Sequence, residues 1–201
     1  MRPLLSTIAI LLFLFLLPGS SQGQQLSLDQ LTALSGQDVD QINEYLASRG
    51  WAFDDAQQEG EEEIAHASWA YQKTTSYYDS NSARAQAWLQ INNPGPDQLL
   101  FYQTSNKLYY DALRAKIATY KMERLGSGVV NGGIRTTYVG ANFIVSTSVR
   151  TSENNRRPVY VVLVQRKEAY LRQLQEQQEV SDDSEETEPD LESSPISESR
   201  R

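Results

Sequence analysis

The sequence predicts an α+β domain with an antiparallel sheet of five to six strands and two main helices, preceded by a signal peptide and followed by a disordered acidic tail. Three observations carry this. The apolar runs Asn142–Val149 and Val159–Val164 flank the polar loop Thr151–Arg157, the pattern of an antiparallel hairpin. Residues 64–75 and 83–92 alternate apolar and polar side chains with a period of two. Residues 38–49 and 105–125 instead space their apolar side chains by threes and fours, as helices do.

Taken in order, the chain opens with Arg2 and the apolar run Ile8–Leu17, broken by Pro18 and Gly19. Ser21-Gln-Gly23 puts small residues at the −3 and −1 positions of a cleavage site, the layout of a secretory signal peptide over residues 1–23. An uncleaved anchor is the alternative, but a membrane span takes roughly 20 apolar residues and this run stops short. The expected location is therefore periplasmic or extracellular, with no transmembrane span after cleavage. The chain has no cysteine, which excludes a disulfide framework, a thiolate nucleophile and a zinc–thiolate site.

Residues 24–178 are expected to form one domain. Ser27-Leu-Asp-Gln30 has the spacing of a capping box and opens a short helix through Leu34. Ser35-Gly-Gln-Asp38 restarts helix with an acidic third position, and Val39, Ile42, Tyr45 and Leu46 form its apolar stripe. Gly50 stands where a left-handed cap is wanted, with Trp51 following as its hydrophobic contact. Trp51–Phe53 begins a strand. Ala65, Ala67, Trp69 and Tyr71 share one side of the next, and Ala85, Ala87, Leu89 and Ile91 oppose Gln86, Trp88 and Gln90 on another. Asn93-Pro-Gly-Pro-Asp97 is a turn, and Gln98–Tyr102 a third short strand.

Thr104 or Ser105 caps a second helix running to about Leu125 on the stripe Tyr109, Leu113, Ile117 and Tyr120, ended by Gly126-Ser-Gly128. Asn131-Gly-Gly133 is a turn needing positive φ. The Val159–Val164 run carries no charge and no glycine, so it reads as a central strand covered on both faces. Glu168–Val180 adds a last helix, with Tyr170, Leu171 and Leu174 touching the domain. From Glu179 to Arg201 nine acidic residues and almost nothing apolar predict a disordered acidic tail. Residues 24–178 hold 15 Lys/Arg against 17 Asp/Glu, so most of the net charge of −8 belongs to that tail. Without a clustered basic surface, a nucleic-acid partner is not expected.

The order helix-then-strands occurs twice, loosely enough to allow an old duplication. Together with Ser21-Gln-Gly-Gln24, Tyr45-Leu-Ala-Ser-Arg-Gly-Trp-Ala-Phe53 and the tyrosine-rich strands, it resembles uncharacterised secreted proteins of Bacteroidota over roughly residues 28–165. That resemblance implies no activity. It implies only the periplasm or surface of a bacterium with two membranes.

No catalytic signature stands in the sequence, and no catalytic, cofactor or metal residue is assigned. His66, the one histidine, sits within an alternating strand, where a structural role is the ordinary one. Asp54-Asp55 and Glu61–Glu63 lie in polar connections without the burial that splits carboxylate pKa values. Gly126–Gly132 superficially resembles a nucleotide-binding loop, yet a helix precedes it and a strand follows, the reverse of what holds phosphate. The aromatic residues are the remaining signal. Trp88, flanked by Gln86 and Gln90, is either a stacking platform for a sugar or a protein hot spot, or core beneath the second helix. Tyr77 and Tyr78 are further binding candidates in a polar loop. The leading expectation is a non-enzymatic exported domain that binds an envelope or extracellular protein or glycan; the rival is a cysteine-free secreted hydrolase using carboxylates, acting on glycans.

Overall fold

The computed structural model describes residues 26–57, 65–76, 79–130, 132–151 and 157–185. The expected signal peptide, Tyr77, Tyr78, the Glu61–Glu63 run and residues 186–201 of the expected tail lie outside the described residues; residues 179–185 of that tail continue the last helix.

Ser27 caps helix α1 (Leu28–Leu34) through a reciprocal capping box with Gln30. Leu28, Leu31 and Leu34 are all buried, each worth roughly 1.5–3 kcal/mol relative to exposure. Helix α2 (Val39–Ala47) is capped by Asp38 paired with Gln41, so Asp38 stands at the cap itself rather than at the third helical position. Ser35 instead closes α1. Gly50, at φ 79°, turns the chain out of α2 into buried Trp51, as its position in the sequence suggests.

Strands β1 (Trp51–Gln57), β2 (His66–Tyr71), β5 (Ala87–Asn92) and β6 (Leu99–Thr104) follow, with a small ribbon, β3 (Thr74–Ser76) and β4 (Asp79–Arg84), set between β2 and β5. Helix α3 (Lys107–Thr119) leads into β7 (Glu123–Val130), β8 (Gly133–Val139), β9 (Phe143–Thr151) and β10 (Pro158–Arg166), and α4 (Lys167–Glu185) ends the described chain. The main sheet has the order β1-β2-β5-β6-β10-β9-β8-β7 and is antiparallel throughout. The expected five to six strands and two main helices thus understate a sheet of eight with four helices. The first half places two helices before four strands of this sheet and the second half one helix before four, and the last strands of the halves, β6 and β10, pair at its centre.

The largest departure from expectation is the end of α3. Its cap is Asn106, and its buried stripe is Tyr110, Leu113 and Ile117; Tyr109 is half-buried and Tyr120 is 43% exposed. The helix stops at Thr119 because Lys121 takes φ 52°, a left-handed turn made without glycine. Gly126-Ser-Gly128 is consequently inside edge strand β7 rather than a helix terminator.

Helices α1 and α3 pack on β6 and β10, and α2 packs on β1. The core lies between these helices and Trp69, Leu89, Tyr102, Val162 and their neighbours. Tyr110 of α3 stacks on Tyr160 of β10 with ring centroids 4.8 Å apart. Helix α4 covers the opposite face, and only at one end: Gln165 Nε2 donates to Gln173 Oε1 at 2.9 Å, and Arg172 grips Asp97 and the Pro96 carbonyl of the β5–β6 turn. Ile144, Gln165 and Ala169 are buried here, outside the main core. Leu171 and Leu174, expected to touch the domain, are 46% and 38% exposed.

This partial cover corrects the reading of β10. The strand is central, but Val162 and Val164 are buried while Val159, Val161 and Leu163 on the other face are half-buried. Among the described residues no helix is long and apolar enough to cross a membrane.

Candidate functional site

Strand alternation fixes what the uncovered face displays. With Ala87, Leu89 and Ile91 turned into the core, Trp88, Gln90 and Asn92 of β5 must point the other way. The register carries that parity across the sheet. One row runs Ala52, Ala70, Trp88, Gln103, Val161, Ser148, Arg135, Gly128 through all eight strands. The next contains Ser68, Gln90, Phe101, Leu163, Ser146, Thr137 and Gly126.

Side chains of these rows line a shallow trough of about 260 Å³ between Trp88 on β5 and the β7–β8 hairpin. Phe101 and Val161 supply its apolar lining, Gln90, Asn92, Gln103 and Ser148 its neutral polar groups, and Arg135 and Arg150 its charge. Arg150 Nη2 donates to Gln103 Oε1 at 2.8 Å, bridging over β10. Gln90 Nε2 donates to Asn92 Oδ1 at 2.8 Å. The Trp88 ring has the Lys73 ammonium 5.6 Å from its centroid, and Lys73 is itself paired with Asp54. A cation at that separation steadies the indole by about 0.5–1 kcal/mol at an exposed site.

A second concavity of about 400 Å³ adjoins the first and shares Arg135 and Val130 with it. Its floor includes Gly126 and Gly128, where an added Cβ would meet nothing within 4 Å, and Tyr170 of α4 stands at its side. The absent side chains leave the sheet bare and the trough open towards the β7 edge.

Of the candidates named from the sequence, Trp88 is half-buried on the face opposite α1–α3, so the second helix does not cover it. Tyr77 and Tyr78 fall outside the described residues. His66 pairs across β2 and β5 with Asn92 of the trough lining, its Nε2 3.8 Å from the Asp55 carboxylate of the edge strand β1. Asp54 is committed to Lys73. Among the described residues no three His, Cys, Asp or Glu side chains cluster as a metal site would require. Gln103, Arg135, Arg150 and Ser148 went unremarked in the sequence. Alternation within Ile134–Val139 separates Arg135 from Ile134, but only the β8–β9–β10–β6 register sets Arg135 in line with Trp88.

No family model, curated protein or solved structure matches this chain.

Proposed function

We propose that the chain is an exported binding domain that holds an extended envelope or extracellular ligand across the open face of its sheet. The observation that carries this reading is the row Trp88, Gln103, Val161, Ser148, Arg135, which sets an indole, an amide, a hydroxyl and a guanidinium side by side on one face, the other face of β5, β6, β10 and β9 being packed core. A rigid sheet holds such groups at fixed spacing, which lowers the ordering cost of binding. A concave face with a few convergent polar groups around apolar ones is the ordinary form of a recognition surface. Export rests on the Ile8–Gly23 pattern.

The test is a glycan and peptide array probed with the chain from Gln24 onward. Ligands retained by the wild type and lost with Trp88→Ala support the reading. Retention that ignores Trp88→Ala, or no retention at all, overturns it.

A further inference from the structure

Resting on that reading, we infer that the trough takes a carboxylated polysaccharide, a chain of sugars bearing uronate groups. Three features of the face lead there.

The first is charge. The chain as a whole carries −8, yet among the described residues no Asp or Glu lines this trough, while Arg135 and Arg150 both do. Neither guanidinium is in an ion pair with a carboxylate of the described residues; Arg150 is braced by the neutral Gln103 amide. A guanidinium held by an amide keeps its charge and offers its other N–H groups as a fork that a planar carboxylate fits.

The second is shape. From Trp88 on β5 to Arg135 on β8 the row crosses four inter-strand steps, roughly 19 Å at about 4.8 Å each. That length suits a polymer lying across the strands rather than a single small molecule.

The third is the kind of group presented. An extended peptide gains its affinity by adding to a sheet edge, where backbone N–H and C=O groups are free. Here the floor is β6, β10 and β9, interior strands whose backbone groups are spent in their own ladders. What is left for a ligand is side chains: an indole on which the apolar face of a sugar ring can lie, amides and a hydroxyl for its hydroxyl groups, and guanidiniums for its carboxylates. Those functions together describe an acidic glycan better than a peptide.

The experiment uses the chain from Gln24 onward and titrates it, by calorimetry, with oligogalacturonate and with the same oligomer methyl-esterified, which keeps the backbone and removes the charge. Poly-glutamate and dextran sulfate are the charge-matched controls. The expected result is binding of oligogalacturonate, weakened at least tenfold by esterification and about tenfold by Arg135→Gln or Arg150→Gln, with Trp88→Ala weakening both forms. Equal affinity for the ester, indifference to both arginine substitutions, or equally tight binding of either control overturns the inference. If a neutral glycan or poly-glutamate binds instead and Trp88→Ala abolishes that binding, the inference fails while the open face stands as a binding surface. If nothing bound depends on Trp88, both fail.

Discussion

Trp69 and Trp88 stand on neighbouring strands and face opposite ways. Trp69 is fully buried, donates from Nε1 to Asn43 Oδ1 of α2 at 3.0 Å, and meets Phe53 edge to face at 6.1 Å. Trp88 lies half-buried on the other side, between the Lys73 ammonium and a trough lined by glutamines and arginines. One indole has every group satisfied within the fold. The other is held by the sheet but answers to no helix. The difference extends to whole faces: the side bearing Leu89, Tyr102 and Val162 builds the core against α1, α2 and α3, whereas among the described residues the helix over the side bearing Trp88, Gln103 and Arg135 is α4, at one end. The main hydrophobic core lies on the first face, and Trp88, Gln103 and Arg135 on the second are each only half-buried.

The sharpest way to break that contrast is a pair of substitutions on adjacent residues of β10. Val162→Asp puts an unpaired carboxylate beside Tyr102 and Thr147 in the core, at a cost of several kcal/mol. Against a total of roughly 5–15 kcal/mol for a domain of this kind, that variant is expected to be largely unfolded by far-UV circular dichroism. Val161→Asp places the same group on the open face beside Gln103 and Ser148, within a trough that carries two arginines, and is expected to cost about 1 kcal/mol or less. If both variants unfold, the open face is core after all.

A smaller effect separates the faces by pH. Burial pushes the Tyr102 hydroxyl well above the ordinary tyrosine range. Above about pH 10 the unfolded chain releases this proton while the folded chain keeps it, so the unfolded state binds fewer protons and stability falls as pH rises. Below that value the group adds no pH dependence. Urea denaturation between pH 9 and 11 should show the decline, approaching about 1.4 kcal/mol per unit at its steepest, and Tyr102→Phe should flatten it. An unchanged slope in that variant would place the alkaline sensitivity elsewhere.

How much of this was legible in the sequence follows from how local each signal is. The cap of α1, the turn at Gly50 and the pairing of β9 with β10 depend on residues close in the chain, and the residue types there say what the backbone does. The cap of α2 lies three residues beyond the expected Ser35, because Ser35 and Asp38 are both good caps and Ser35 closes α1 instead. The parity of Ala87, Leu89 and Ile91 against Trp88 and Gln90 was readable for the same reason. Strand β7 was not. Tyr120 and Leu125 continue the helical spacing of α3, the chain reverses at Lys121 without a glycine, and Gly126 and Gly128 sit in an edge strand where a missing side chain costs little packing. The trough was hidden for a deeper reason. Trp88 and Arg135 are 47 residues apart and meet in one row only through the β6–β10 pairing that joins the two halves. No local pattern encodes that pairing.

Whether the open face is dispensable for folding is asked directly by one side-by-side experiment: the unfolding free energies of Trp69→Ala and Trp88→Ala from urea denaturation. Loss of a fully buried tryptophan should cost about 3–5 kcal/mol. Loss of Trp88 removes a half-buried ring and one exposed cation contact, and should cost about 1 kcal/mol. That result would leave a stable domain in which Trp88 is available for a ligand. Equal losses for the two tryptophans would contradict it, because the open face would then be holding the fold together.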